Sequence, residues 1–256
     1  MPNLVAQLLP QLESHRIARL NAGPNAFYPC YNRQSLVNLP ASVCHWLGAP
    51  LFGNPPLNQS ILAAAGGPFR RVILLVVDGL GLEQFQRHIS QDSHSSNLWP
   101  GLLEEGFLAP LTSIVPSTTT SALTTLWTGR TPAEHGVMGY EMYLKEYGLI
   151  ANMITHSPAS FVGDVGGLRR AGFQPESFLP VPTLGPHLLA SGVESFAFQH
   201  ISIARSGLST MLFPQVNVIP FRTLSDLWVS VPAFLESRQR DPLYTYIYWG
   251  ELDELS

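Results

Sequence analysis

The sequence predicts an α/β fold in which helices flank a mainly parallel sheet. Three runs rich in apolar or aromatic residues predict strands, at Arg71–Val77, residues 107–115 and Leu243–Trp249. Segments with helical spacing of apolar residues separate these runs, and this alternation is typical of parallel sheets. The first run is almost continuously apolar and ends in a Gly-rich polar turn, which predicts a central strand buried on both faces.

The remaining elements follow from local spacing. In Thr119–Thr128, apolar side chains at Leu123, Leu126 and Trp127 share one helical face, and Gly129 is a stop signal. Five further helices are expected, at residues 4–20, 40–47, 82–89, 183–190 and 224–238, and one further strand at residues 193–198. Pro40 lies in the first turn of its helix, whereas Pro10 is expected to break the first helix and Pro232 to interrupt the last.

Two regions are expected along the chain. Residues 1–66 contain many prolines and predict an irregular N-terminal extension packed on the core, whereas residues 67–256 predict the core itself. The last predicted strand ends at Trp249 of a 256-residue chain, and the polar loop that follows it has barely begun. We therefore expect the chain to be the N-terminal portion of a longer protein.

Composition and charge exclude several classes of function. Lys and Arg number 14 and Asp and Glu 18, which gives a net charge of −4, and no basic run stands out. This argues against nucleic-acid binding and against attachment to a membrane through a polybasic patch. The longest apolar stretch, residues 72–77, is far too short to span a bilayer. The N-terminus lacks the pattern of a signal peptide, and Cys30 and Cys44 are expected to be free thiols, so a cytoplasmic location is expected.

Polar residues with chemical potential follow the predicted strands. Asp78 follows the first strand, a hydroxyl cluster at residues 117–121 follows the second, and Asp253 follows the last. The carboxyl ends of parallel strands meet at one edge of a sheet, where ligands bind. Two carboxylates and a hydroxyl at a helix start would suit a divalent metal and an incoming phosphate. Taken singly, Asp78 and the hydroxyl cluster are equally compatible with ordinary turns and helix caps.

Three stretches of the sequence resemble a known family. VILLVVDGLG, SIVPSTTTSALTTLWTGRTPAEHGVMGYEMY and YIYWGELDELS are similar to the alkaline phosphatase superfamily, and within it to the type I phosphodiesterase/nucleotide pyrophosphatase group. The resemblance implies an alkaline-phosphatase-like catalytic domain, of which residues 67–256 would be the N-terminal part. It also implies two divalent ions, zinc or alternatively manganese, and a covalent phospho-enzyme. Asp78 and Asp253 match metal ligands, and Thr119 matches the nucleophile that also contacts metal.

The sequence departs from the family pattern at two places. The histidine of the motif that contains Asp253 would come directly after Ser256. The later Asp-His pair and the final histidine ligand of the family are not in the 256 residues, so the chain supplies about half of the expected ligands. Ala122 stands where nucleotide pyrophosphatases have an asparagine that donates to the phosphoryl oxygen. Backbone N–H groups would then do that work, or the substrate differs. Neighbouring Thr118 and Thr120 leave the register of the nucleophile open by one position.

The resulting hypothesis is metal-dependent hydrolysis of a phosphodiester or pyrophosphate bond in a small phosphate ester, through a phospho-threonine at Thr119. The alternatives are a non-catalytic binding module on the same scaffold, which Ala122 favours, and a phosphomonoesterase or phosphomutase. Other polar residues are expected to be structural: His135 in a turn, His156 and Asp164 in a surface loop, Glu251 in solvent, and Tyr244, Tyr246 and Tyr248 in the core.

Overall fold

The structure is a computed structural model that describes residues 4–23, 26–91, 105–161 and 163–253. Its strands are β1 Arg71–Val77, β2 Glu141–Leu144, β3 Leu149–Asn152, β4 Ser157–Pro158, β5 Glu194–His200, β6 Asn217–Phe221 and β7 Leu243–Trp249. Its helices are α1 Val5–Ser14, α2 Leu39–Leu47, α3 Gln59–Ala65, α4 Leu82–Gln91, α5 Thr119–Thr128, α6 Pro132–His135, α7 Gly167–Arg170, α8 Pro175–Phe178, α9 Leu184–Ala190, α10 Gly207–Leu212 and α11 Leu224–Ser237.

The predicted α/β class is confirmed. Within the described ranges, four parallel strands form one sheet in the order β1-β7-β5-β6, and β2, β3 and β4 form a small antiparallel sheet. The bounds of β1, β7 and α5 are those that the sequence predicts. The strands pair in parallel across long stretches of chain, and Val76 is the partner of Tyr248. This pairing aligns the ends of β1 and β7 and places the loops after them side by side.

Helices cover the two faces of the main sheet. On one face, α5 buries Leu123, Leu126 and Trp127 against the tyrosines of β7, with Trp127 fully buried. On the other face, α11 packs Leu227 and Val231 against β5, β6 and β7. The N-terminus of α5 therefore lies on the face that Val76 and Tyr248 share, at the carboxyl edge of the sheet.

The expectation that β1 is a central strand buried on both faces is wrong for the described residues. Within them β1 is an edge strand, and its Ile73 and Leu75 side chains are 47% and 40% exposed. The reason is the placement of α11, which packs on β5, β6 and β7. A continuously apolar run therefore predicted the strand correctly but not the burial of its second face.

The predicted strand at residues 107–115 is also wrong. This segment lies outside the main sheet, and it forms an isolated parallel bridge between Ser35 and Thr112. Its backbone groups pair with the N-terminal region, since Leu36 N donates to Thr112 O and Thr112 N donates to Gln34 O. β-branched and aromatic composition favours an extended conformation, but it does not select the hydrogen-bonding partner.

The predicted interruption of two helices by proline is wrong. Pro10 lies inside α1 and Pro232 inside α11, and both helices continue past them. Leu8 and Leu12, on either side of Pro10, are each 2% exposed, so tertiary packing holds α1 together where local propensity would break it.

The N-terminal region is more helical than its prolines suggest. It contains α1, α2 and α3, and the predicted helix at residues 40–47 is confirmed as α2, with Pro40 in its first turn. Val43 and Cys44 of α2 belong to the same core as α5. The division at residue 66 stays a prediction. Among the described residues, no helix combines the length and the apolar character needed to cross a membrane.

Candidate active site

Asp78 is positioned by the pairing of β1 with β7. Its backbone N–H donates to Trp249 O at 2.9 Å, which extends the ladder by one residue beyond the strand end. Its Oδ1 accepts from Gly79 N at 3.1 Å. The carboxylate is half-buried and stands at the carboxyl edge of the sheet, where the sequence predicts it.

Thr119 is the first residue of α5 and faces Asp78. Its hydroxyl donates to Asp78 Oδ2 at 3.1 Å, and the side chain lines an open cavity. The two neighbouring hydroxyls are engaged elsewhere. Thr120 is fully buried and donates to Gly139 O at 2.8 Å, while Thr118 Oγ1 lies 3.0 Å from Thr120 Oγ1. Of the three threonines, the geometry favours Thr119 as the reactive one.

Asp253 lies against Gly79, the residue after Asp78, through a close approach of two loops. A side-chain carbon built on Gly79 would lie 2.8 Å from Asp253 Cα, so only glycine fits at this position. Gly79 also has a φ of +78°, which glycine adopts without strain. Asp253 is exposed and lines the same cavity as Thr119. The structure thus bonds Thr119 to Asp78 and places Asp253 on the same cavity as Thr119, while the roles of the three residues stay a prediction.

Tyr248 is a fourth member of this group, and sequence reasoning assigned it only to the core. Its hydroxyl donates to Asp78 Oδ2 at 2.7 Å, so the same carboxylate oxygen accepts from Tyr248 and Thr119. The sequence signal for this role is the position of Tyr248 near the end of β7. That signal can be interpreted only when the strand register, which pairs Tyr248 with Val76, is known. Tyr244 and Tyr246 are core residues as expected, and burial raises the pKa of each well above its usual range.

His135 has the structural role that the sequence predicts. It is fully buried, its Nδ1 accepts from Val137 N at 3.1 Å, and its Nε2 lies 3.1 Å from Thr125 Oγ1. Because Nδ1 is an acceptor, the neutral ring carries its proton on Nε2. Burial lowers the pKa of His135 to about 4. Ser121 completes the surroundings by donating to Val137 O at 2.5 Å.

The expectation that His156 is a surface residue is wrong. The side chain is fully buried, and neither ring nitrogen makes a hydrogen bond to a described residue. Its ring packs edge-on against Phe173, and burial lowers its pKa to about 4. Asp164 does lie at the surface, where it pairs with Arg170. Neither residue is among those that line the cavity at Thr119.

A cavity of about 510 Å³ opens beside Thr119 and Asp253. It runs along the carboxyl ends of β7 and β5 to α10. Its lining includes Glu251, which the sequence predicts to be solvated, and a set of uncharged polar residues on β5 and α10. This size is typical of sites for small organic ligands.

The donor set suits a hard divalent cation better than a pair of zinc ions. Asp78, Asp253 and Thr119 all offer oxygen, and Mg²⁺-like cations bind through one or two carboxylates together with substrate phosphates and water. Over the described ranges, no group of three or more His, Cys, Asp or Glu side chains could hold a metal. These residues do not make up two complete zinc sites, and the expected pair of ions stays a prediction.

Comparison with known proteins supports the resemblance noted from the sequence. Residues 72–181 match the family of type I phosphodiesterase / nucleotide pyrophosphatase. The chain matches no curated protein and no solved structure. The matched segment includes Asp78, Thr119 and Ala122, while Asp253 lies outside it. The match confirms the resemblance over this segment and supports, at family level, a phosphodiesterase- or pyrophosphatase-type hydrolase.

Proposed function

We propose, from the family match at residues 72–181, that the chain cleaves phosphodiester or pyrophosphate bonds in small phosphate esters, with Thr119 as nucleophile. The observation that supports this most directly is the contact between Thr119 Oγ1 and Asp78 Oδ2, at 3.1 Å, on the wall of a ligand-sized cavity. A hydroxyl held by a carboxylate at a helix N-terminus is arranged for attack on phosphorus.

The first step transfers the phosphoryl group to the protein. Thr119 Oγ forms a bond to phosphorus as the bond from phosphorus to the departing oxygen breaks. The hydroxyl proton passes to Asp78 Oδ2, the acceptor of its hydrogen bond, and the departing oxygen takes a proton from water. In the second step a water oxygen bonds to phosphorus and the bond to Thr119 breaks. The proton on Asp78 then returns to Thr119, and the water proton leaves to solvent.

Backbone N–H groups can replace the amide that Ala122 lacks. The first intrahelical bond of α5 runs from Ala122 N to Thr118 O, at 2.9 Å. The N–H groups of the preceding first-turn residues have no acceptor within the helix. They carry partial positive charge beside Thr119, where the phosphoryl oxygens become more negative during attack. Ala122 is therefore compatible with catalysis.

Metal dependence is part of the proposal. Asp78 and Asp253 would hold a divalent cation, and such a cation lowers the pKa of a bound hydroxyl and neutralises phosphate charge. The role of Tyr248 is separate, because its hydroxyl donates to Asp78 Oδ2 and holds the carboxylate toward Thr119.

The test measures release of p-nitrophenol from bis(p-nitrophenyl) phosphate in the presence of Mn²⁺ or Zn²⁺. We expect Thr119→Ala to lower the rate about 10³-fold or more. Thr118→Ala is the matched control, because it removes a neighbouring hydroxyl that points to Thr120, and it should retain the rate. Acid-quenched samples of the parent chain should carry an aryl phosphoryl adduct on the peptide containing Thr119. A Thr119→Ala chain that hydrolyses as fast as its parent would show that the assignment is wrong.

A binding module without catalysis is the second candidate. Ala122 and the incomplete set of metal ligands among the described residues favour it. In the same experiment this alternative predicts no p-nitrophenol release and no adduct with either metal. A phosphomonoesterase would instead release p-nitrophenol faster from p-nitrophenyl phosphate than from the diester.

A further inference from the structure

The end of the cavity beyond Thr119 has a polar wall built from β5 and α10. Gln199 and Ser209 belong to this wall, and both also lie in the hydrophobic interior, at 2% and 5% exposure. The apolar side chains of the same cavity lining include Leu123, Ile154, Leu208, Leu212 and Phe213. A primary amide in such surroundings requires hydrogen bonds, since an unpaired buried amide costs free energy.

Only one end of the Gln199 amide is paired. Ser209 Oγ lies 2.7 Å from Gln199 Oε1 and 2.6 Å from Ile203 O, and Ser206 Oγ donates to Ser209 Oγ at 3.2 Å. The amide nitrogen makes no hydrogen bond to any described residue, although the side chain borders the cavity. Ser209 thus holds the amide in place and leaves its second polar atom for a ligand.

The chemistry of this wall selects a hydroxyl group. Ser209 has one hydroxyl hydrogen, for which Ile203 O and Gln199 compete as acceptors. The free end of the amide is a donor when Ser209 bonds to Oε1, and an acceptor when the amide is reversed and donates to Ser209. A ligand hydroxyl both donates and accepts, so it pairs with the amide in either orientation.

The charges of the lining disfavour an anionic ligand. Among its described residues there is no Lys or Arg, and both ring nitrogens of its histidine, His200, already bond to Ser202 Oγ and Arg222 O, whereas Glu251 contributes a carboxylate. A second phosphate or a carboxylate placed there would meet like charge without a cationic partner. Of the two bond types in the proposed function, this favours a phosphodiester over a pyrophosphate.

We infer that this cavity is a subsite for the organic substituent of a phosphodiester, and that Gln199 recognises a hydroxyl on an uncharged, polyol-like group. The inference rests on the proposed function for the reaction at Thr119, but it concerns binding rather than chemistry. Gln199 becomes a specificity-determining residue, and Ser209 the residue that positions its amide.

The test compares the binding of three symmetrical diesters, so that the same group enters the cavity whichever way the ligand lies. They are bis(2,3-dihydroxypropyl), dipropyl and bis(2-carboxyethyl) phosphate, titrated calorimetrically in the presence of Mn²⁺ into the Thr119→Ala chain, which cannot turn them over. We expect the dihydroxypropyl ester to bind about tenfold more tightly than the dipropyl ester, with the carboxyethyl ester weakest. Adding Gln199→Leu should bring the first two affinities within about threefold of each other while dipropyl binding is unchanged.

Two further variants keep the test decisive. Gln239→Leu makes the same substitution at an exposed position on the opposite side of the sheet, near Arg71, and should retain the preference. Ser209→Ala frees the Gln199 amide and should weaken the preference even if Gln199→Leu fails to fold. The inference is overturned if no diester binds, if the Thr119→Ala chain shows no preference, or if the carboxyethyl ester binds best. It is also overturned if the preference survives in Gln199→Leu. Should Gln199→Leu fail to fold, survival of the preference in Ser209→Ala overturns it instead. Hydrolysis by the parent chain is scored separately, so a preference without turnover would contradict the proposed function alone.

Discussion

Two polar regions of the molecule use the same residue types in opposite ways. The edge site consists of Asp78, Thr119, Tyr248 and Asp253, whose side chains bond to one another or border an open cavity. The buried network consists of Ser121, Thr125 and His135, which are fully buried and bond to one another or to the backbone at Val137.

The difference between the two regions lies in what their hydroxyls bond to. In the buried network, each hydroxyl has a fixed partner within the protein, so its hydrogen bonds support the fold. In the edge site, two hydroxyls converge on one carboxylate oxygen and remain near a ligand-sized cavity. Thr119 and Thr125 lie on the same helix, so a difference in burial rather than in residue type separates a reactive threonine from a structural one.

Acid should weaken the buried interior through its two histidines, His135 and His156. His135 and His156 both have a pKa of about 4 in the folded chain, against 6.5 as their ordinary value, because burial disfavours the charged ring. The unfolded chain binds protons below pH 6.5 and the folded chain does not, so stability falls as the pH drops from 6.5 toward 4. Between pH 7 and 5 the free energy of unfolding should fall by about 2 kcal/mol for each histidine. Urea denaturation at pH 7, 6 and 5 measures this, and a constant free energy would contradict it.

Two glycines with similar backbone conformations, one in each region, differ in what lies beside them. A side-chain carbon on Gly79, with φ +78°, would meet Asp253. At Gly136, with φ +80°, no described residue beyond its neighbours in the chain lies within 4 Å of such a carbon. Gly79→Ala should displace the loop that carries Asp253 and lower kcat/KM for bis(p-nitrophenyl) phosphate about 100-fold, about 2.7 kcal/mol. Gly136→Ala should retain kcat/KM and cost only backbone strain of about 1 kcal/mol, measured by denaturation. Equal losses of activity in both variants would show that the loop contact is not what matters.

Sequence patterns predicted the elements that hold the edge site better than the contacts within it. The apolar run of β1, the aromatic run of β7 and the helical spacing of α5 gave their bounds, because each signal is local. The exposed outer face of β1 and the extended segment at residues 107–115 depend on what packs beside them, which no local pattern specifies. Tyr248 and Gln199 were missed for a related reason: their roles arise from strand register and from a helix that follows later in the chain.

Two tyrosines of β7 test whether the hydroxyl or the ring matters at the edge site. Tyr248 donates to Asp78 Oδ2 at 2.7 Å, whereas the buried hydroxyl of Tyr246 makes no hydrogen bond to a described residue. Tyr248→Phe should lower kcat about tenfold, about 1.4 kcal/mol, with KM little changed, because it frees the carboxylate that orients Thr119. Tyr246→Phe keeps the packing against Trp127 and should leave kcat unchanged. A loss in both variants would indicate a packing effect, and a loss in neither would remove Tyr248 from the site.

The smallest expected effect distinguishes the two buried histidines. His156 has two unpaired ring nitrogens, so His156→Phe keeps the edge-on contact with Phe173 and should raise the free energy of unfolding at pH 7 by about 1 kcal/mol. His135→Phe should lower it instead, since Thr125 Oγ1 and Val137 N would both lose their partner. Denaturation at pH 7 and 5 adds a second readout, because His156→Phe should remove about half of the acid-induced loss. If His156→Phe destabilises the chain at pH 7, the ring nitrogens of His156 make hydrogen bonds that stabilise the fold, and the prediction is wrong.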